Sequence, residues 1–152
     1  MRINQPKIGK INGEKLKIVI ILPYFNDKFG LELLKNTENE LSRNKVKKAN
    51  IRLIRVAGSL EIPFACQKAI KKYKPDAIIA LGIIIRGQTK HFDLVAENTH
   101  SGLMKIQLEN KTPISFGIIA CENTKQVIER ISKTKLNKGK DFAIAALLQT
   151  TI

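Results

Sequence analysis

Ala77-Ile-Ile-Ala-Leu-Gly-Ile-Ile-Ile85 decides the fold. These nine residues carry no polar side chain, and five of them are isoleucine. A continuous β-branched run of this kind reads as a strand buried on both faces, the mark of a parallel sheet covered by helices. The run is interrupted by Gly82 and is far too short to span a bilayer. Upstream, Lys74-Pro75-Asp76 ends a helix over Ile62 to Tyr73, with Pro63 tolerated in its first turn. Before that come a strand, Ile51-Arg-Leu-Ile-Arg-Val56, and a helix over Phe29 to Asn44, with Phe29, Leu33, Leu34, Thr37 and Leu41 at helical spacing. Lys17-Ile-Val-Ile-Ile-Leu22 is a further buried strand. Downstream, the reading is a helix over Phe92 to Leu108, a turn at Lys111-Thr112-Pro113, a strand Ile114-Ser-Phe-Gly-Ile-Ile119 and a helix over Thr124 to Ile131. Asn123 is the expected N-cap of that helix, with Gln126 completing a capping-box-like pattern. A last helix, Gly139 to Gln149, carries Phe142, Ala146 and Leu147 on one face. Strands alternating with helices, with no hairpin signal, predict an α/β domain with a four-stranded parallel sheet.

Composition sets the outer bounds. The 152 residues suit one domain spanning 1–152, and 43% hydrophobic with 26% charged residues is ordinary for a chain that buries a core. Lys and Arg number 27 against 13 Asp and Glu, a formal charge of +14, which raises the question of a polyanionic partner. The lysines are dispersed (Lys45, Lys47, Lys48, Lys71, Lys72, Lys74, Lys133, Lys135, Lys138, Lys140), no nucleic-acid-binding motif accompanies them, and Trp is absent. The expectation is no specific nucleic acid. Cys66 and Cys121 make neither a disulfide framework nor a CxxC pair, so no metal is expected. The opening MRINQPKIGKINGEK has no apolar signal core, so a cytoplasmic, reducing location and no membrane association are expected. Residues 1–12, with Ile3, Pro6 and Ile8, read as an extended arm that pairs with a neighbouring subunit, or as a frayed terminus.

In open parallel sheets the site lies past the C-terminal ends of the strands. Four segments occupy that edge: Pro23-Tyr-Phe-Asn26, Ala57-Gly-Ser-Leu-Glu61, Arg86-Gly-Gln-Thr-Lys-His91 and Ala120-Cys-Glu-Asn123. Gly87, Gln88 and Thr89 precede a helix, where free backbone N–H groups and the dipole suit a phosphate. His91 follows at once, and a histidine titrates near neutrality, as proton transfer requires. A loop histidine ahead of a helix also serves as a cap or simply lies exposed. Phe25 offers a face to stack on a planar heterocycle, or a core aromatic. Ser59 and Glu61, after a Gly turn, could hydrogen-bond a polyol. Asn137-Lys138-Gly139 opens the last helix, as an anion site or a plain turn. His100 reads as a surface residue, and Cys121 lacks the basic partner a thiolate nucleophile needs. Neither GxGxxG nor GxxxxGK[ST] is present, so dinucleotide and NTPase readings fail.

Gly58-Ser-Leu-Glu-Ile-Pro63, Ala80-Leu-Gly-Ile-Ile-Ile-Arg-Gly-Gln-Thr-Lys-His-Phe-Asp93, Pro113-Ile-Ser-Phe-Gly117 and Asn137-Lys-Gly139 occur in order and at the right spacing. Together they resemble the lumazine synthase family over about Ile8 to Leu148. The resemblance implies a flavodoxin-like three-layer domain in pentamers, some members stacking twelve pentamers into an icosahedral shell. It implies condensation of 5-amino-6-(D-ribitylamino)uracil with 3,4-dihydroxy-2-butanone 4-phosphate, without metal or cofactor, in a site between subunits. Carried over by residue, Phe25 stacks on the pyrimidine, while Asn26 and the Gly58-Ser59-Leu60 turn hold its polar edge. Glu61 binds the ribityl hydroxyls, and Ile84 and Ile85 line the pocket through backbone groups. Gln88 and Thr89 bind phosphate, and His91 shuttles protons. From the neighbour, Phe116 covers the ring, Arg130 grips the phosphate and Lys138 supports it. The chain departs from the family pattern at Tyr24, in place of Arg, at Ala57, in place of Pro, and at Ile131, Ser132 and Leu136, in place of small residues. The rival readings are a riboflavin synthase of the same fold, a shell protein without catalysis and a basic nucleic-acid-binding module.

Overall fold

The computed structural model describes residues 7–152. In chain order it forms β1 (Ile18–Pro23), α1 (Asp27–Arg43), β2 (Ile51–Val56), α2 (Ile62–Tyr73), β3 (Ala77–Ile85), α3 (His91–Asn110), β4 (Ile114–Cys121), α4 (Thr124–Ile131) and α5 (Lys138–Gln149). Single 3₁₀ turns occupy Lys48–Asn50 and Ser59–Glu61. The sheet is wholly parallel with strand order β2-β1-β3-β4, an α/β arrangement of the flavodoxin-like kind.

Side-chain alternation on the two central strands builds two cores. Ile18, Ile20 and Leu22 of β1 and Ala77, Ile79, Leu81 and Ile83 of β3 face α1, α4 and α5. Val19 and Ile21 of β1 and Ile78, Ala80 and Ile84 of β3 face α2 and α3. Helices on both faces explain why these strands tolerate no polar residue. β2, at the edge, carries Arg52 and Arg55 and is far less buried. Gly139 lets α5 lie against α1: a Cβ there would meet the Leu33 carbonyl oxygen at 2.8 Å.

The expected elements all form, with local differences at their ends. α1 starts at Asp27 because Asn26 adopts a left-handed conformation (φ 60°, ψ 38°), which asparagine tolerates. β4 runs on to Cys121. Asn123 caps α4 through its Oδ1, which accepts from Gln126 N at 3.0 Å. The return contact goes one residue further back than a capping box, from Glu122 N to Gln126 Oε1 at 2.8 Å. His100 is half-buried rather than a surface residue, its Nδ1 2.7 Å from the Ala96 carbonyl oxygen and its ring 6.0 Å from that of Phe116. Of the expected arm, Ile3 and Pro6 lie outside the described residues. Ile8 is exposed, whereas Ile11 packs on the α1 side and donates its N–H to Asn44 Oδ1 at 3.0 Å. No helix among the described residues is long and apolar enough to cross a membrane.

Candidate active site

The site is created where the sheet parts. β1 pairs with β3 from Ile18↔Ala77 to Ile21↔Ala80, but β3 continues to Ile85. The chain leaves β1 in one direction and β3 in the other, the switch point at which open α/β sheets bind ligands. A cavity of about 430 Å³ opens there, lined from three strand ends and the start of α3. Asn26 bridges the gap, its Nδ2 donating to the Ile83 carbonyl at 2.9 Å, beyond the last β1–β3 pair. The same residue's carbonyl accepts from Phe29 N and Gly30 N, so Asn26 both turns the chain and starts α1.

Phe25 stands over the next turn. Its N–H donates to the Ala57 carbonyl at 3.1 Å, prolonging the β1–β2 ladder past both strands. Phe25 is 69% exposed, so it is not a core aromatic. It lies so close to Gly58 that a Cβ there would come within 2.9 Å of its edge. Gly58 has extended backbone, so glycine is required here for close approach rather than for a special dihedral angle. Glu61 Oε2 accepts from Gly58 N at 2.8 Å and locks the turn. Ser59 is buried, fitted against Gly82, where a Cβ would lie 2.9 Å from its Oγ. Leu60 lines the rim.

On the opposite wall, Thr89 Oγ1 accepts from His91 N at 3.2 Å at the start of α3. The backbone N–H groups of Gln88, Thr89 and Lys90 find no partner among the described residues. Bare N–H groups at the start of a 20-residue helix form an electropositive cradle. Arg86 anchors this loop at its origin. Its N–H continues the β4 ladder to the Cys121 carbonyl at 2.9 Å. Its guanidinium meets Asp93 through two bonds of 3.1 Å and Glu122 at 2.6 Å, and lies 4.2 Å from the centre of the Phe92 ring. The Arg86 hydrogen bonds hold the Asp93 carboxyl below the ordinary aspartate value.

Phe25, Asn26, Gly58, Ser59, Leu60, Glu61, Ile84, Ile85, Thr89 and His91 thus line one cavity. Gln88 is in the same loop but is not among the lining residues. Phe116, Arg130 and Lys138 do not line it either. Phe116 packs half-buried beneath α3, Arg130 Nη1 donates to the Gln126 carbonyl of its own helix at 3.0 Å, and Lys138 Nζ pairs with Asp141 at 2.9 Å. Ile83, Phe92 and Val95 also line the cavity and were not picked out from the sequence. The i, i+3 spacing of Phe92 and Val95 after His91 was the available signal. No group of three or more His, Cys, Asp or Glu among the described residues could hold a metal.

The sequence model of 6,7-dimethyl-8-ribityllumazine synthase matches residues 15–151. The chain is 43% identical over 139 residues to the 6,7-dimethyl-8-ribityllumazine synthase of Kosmotoga olearia, covering 91% of this chain and 89% of the relative. It is 39% identical over 140 residues to the enzyme of that name from Pediococcus pentosaceus, covering 92% and 90%. It is also 39% identical over 139 residues to that from Thermococcus kodakarensis, covering 91% and 87%. With this likeness along nearly its full length, the chain belongs to the 6,7-dimethyl-8-ribityllumazine synthase family.

Proposed function

We propose that the protein condenses 5-amino-6-(D-ribitylamino)uracil with 3,4-dihydroxy-2-butanone 4-phosphate to give 6,7-dimethyl-8-ribityllumazine, inorganic phosphate and water, the penultimate step of riboflavin synthesis. The observation that carries this is one cavity holding an exposed aromatic face, a locked polar turn and a cradle of bare N–H groups. A pyrimidine stacks on Phe25 with its polar edge on Asn26 and on the Gly58-Ser59-Leu60 turn. Ribityl hydroxyls meet Glu61, whose carboxylate has acceptor capacity beyond its bond to Gly58. Backbone groups of Ile84 and Ile85 complete the floor.

The phosphate of the four-carbon substrate sits on the Gln88–Thr89 loop at the head of α3. That places its ketone toward the pyrimidine amine. The amine attacks the carbonyl and water leaves as the imine forms. A proton is then removed from carbon as phosphate departs, and the ribityl-bearing nitrogen closes the second ring with loss of another water. His91, at the cavity wall beside the phosphate loop, is the group suited to carry these protons. Both reactants are intrinsically reactive, so most of the rate enhancement comes from holding amine and ketone together.

Family membership implies small-molecule substrates and a homo-oligomer. The finer assignment is a pentamer, or a 60-mer shell of twelve pentamers, in which a neighbour supplies Phe116 over the ring, Arg130 to the phosphate and Lys138 in support. A guanidinium fork suits a pair of phosphate oxygens. The chain forms one catalytic domain. Incubation with both substrates should yield a coloured, fluorescent product, and sedimentation should show a pentamer or a multiple of it. No product from the two substrates together, or full activity in a monomer of 17.1 kDa, would refute the corresponding part.

A further inference from the structure

We propose that Arg86 is a positioning residue that sets the phosphate loop, acting through Asp93, Glu122 and Phe92 without touching substrate. This rests on the phosphate placement proposed above. The loop from Gly87 to Lys90 is exposed, and its hydrogen bonds lie at its far end, where the Thr89 hydroxyl accepts from His91 N and the Lys90 carbonyl accepts from Asp93 N and Leu94 N; none fixes Gly87 or Gln88. Its two ends are tied together by one residue. At the start, Arg86 is held to β4 by its own backbone. At the finish, its guanidinium grips Asp93 in the first turn of α3 with a planar fork, both bonds at 3.1 Å. The third bond, to Glu122 at 2.6 Å, ties the same group to the segment between β4 and α4. The guanidinium also backs Phe92, which lines the cavity. Loop origin, helix start and cavity wall are therefore mutually oriented by a single planar group.

Magnitudes argue against a role in stability. The Arg86, Asp93 and Glu122 side chains are 35%, 48% and 56% exposed, and exposed ion pairs contribute little to folding. A direct bond to phosphate is disfavoured because three guanidinium N–H groups are already spent on carboxylates. What the arrangement does accomplish is to restrict where the bare N–H groups of Gln88, Thr89 and Lys90 stand, and misplacement of such groups is costly to binding and rate.

The test measures inorganic phosphate binding by calorimetry and KM for each substrate on the intact assembly of wild type, Arg86→Ala, Arg86→Lys, Asp93→Asn and Thr89→Val. Arg86→Ala should weaken phosphate binding and raise KM for the phosphorylated ketone about tenfold, a modest share of the roughly 100-fold that an ångström of misplacement costs. KM for the pyrimidine and the melting temperature should barely move. Arg86→Lys should recover part of the loss, because an ammonium meets one carboxylate but cannot form the fork. Asp93→Asn is the decisive variant: it removes a negative charge near the loop, yet it should also weaken phosphate binding. Tighter or unchanged binding in Asp93→Asn would overturn the proposal, since a released guanidinium acting as a direct ligand gives that result. Equal losses for both substrates in Arg86→Ala, or none, would overturn it as well. Lost binding in Thr89→Val with normal binding in Arg86→Ala keeps the phosphate loop and rejects the clamp, whereas a wild-type protein that does not bind phosphate rejects both.

Discussion

The two halves of the cavity are built differently. The half beneath Phe25 takes its shape from contacts within one chain. Its turn is locked by the Glu61–Gly58 bond, its aromatic ring is seated against a glycine, and Asn26 is pinned to β3. The half around Thr89 and His91 supplies backbone N–H groups and an imidazole but no cation that lines the cavity. Arg130 and Lys138 are engaged elsewhere on the same subunit, with Gln126 and Asp141. On the reading proposed above, the Phe25 half recognises a ring by shape, with Phe116 of a neighbour closing over it. On the same reading the other half holds a dianion, and backbone dipoles alone are a weak counter-charge for it. The difference supports the proposal that a neighbouring subunit supplies the charge that the Thr89 half lacks.

The sharpest way to break this comparison is to separate the halves genetically. Arg130→Ala should cut turnover about 10²–10³-fold by removing a charge-stabilising donor. Ser59→Arg should abolish activity by filling the ring half. Co-assembled in equal amounts, the two should regain activity at roughly one interface in four, since an intact site needs a wild-type pocket beside a wild-type Arg130. Mixed rings confirmed by mass that stay inactive would place Arg130 in cis or outside the site.

His91→Ala should lower kcat by about 10- to 100-fold, the low end for a positioned acid–base, because the reactants need little activation. Phosphate affinity should be largely retained, as titration with inorganic phosphate would reveal; unchanged turnover at saturation would remove His91 from the chemistry. A smaller effect is expected in the ring half. Gly58→Ala forces Phe25 off its seat and should raise KM for the pyrimidine about three- to tenfold, equivalent to ~1 kcal/mol, with KM for the phosphate substrate unchanged. The smallest is a pH effect. Arg86 lowers the folded-state Asp93 value beneath the ordinary 3.8, so the clamp is fully present above that value and is lost only as pH falls through the depressed one. Phosphate affinity should therefore show no Asp93-linked change between neutrality and about pH 5, followed by loss in stronger acid.

The fold was legible because its evidence is local and redundant. The isoleucine run of β3, the Lys74-Pro75-Asp76 break and the apolar spacing of α1 each speak for themselves. The ring half was legible for a related reason, since Phe25, Gly58 and Glu61 lie at strand ends that the sheet must bring together. The Arg86 clamp was not, because its two carboxylates stand 7 and 36 residues away and no spacing rule joins them. Nor could periodicity reveal that Asn26 would turn left-handed and bond to Ile83. The roles given to Phe116, Arg130 and Lys138 came from resemblance alone, since a single chain's pattern carries no information about which residues a neighbour lends.

The two cysteines, neither of which lines the cavity, fall one in each core. Cys121 lies on the α1, α4 and α5 side and Cys66 on the α2 and α3 side, at 2% and 0% exposure. Burial pushes the Cys66 thiol up to about 12 and raises that of Cys121 as well. Neither sulfur meets a thiol reagent as a thiolate while its layer stays shut. Labelling therefore clocks opening, and it clocks the two sides of the sheet independently. The molecule carries a pair of native reporters that can tell, without any introduced probe, which layer loosens first when the assembly is taken apart.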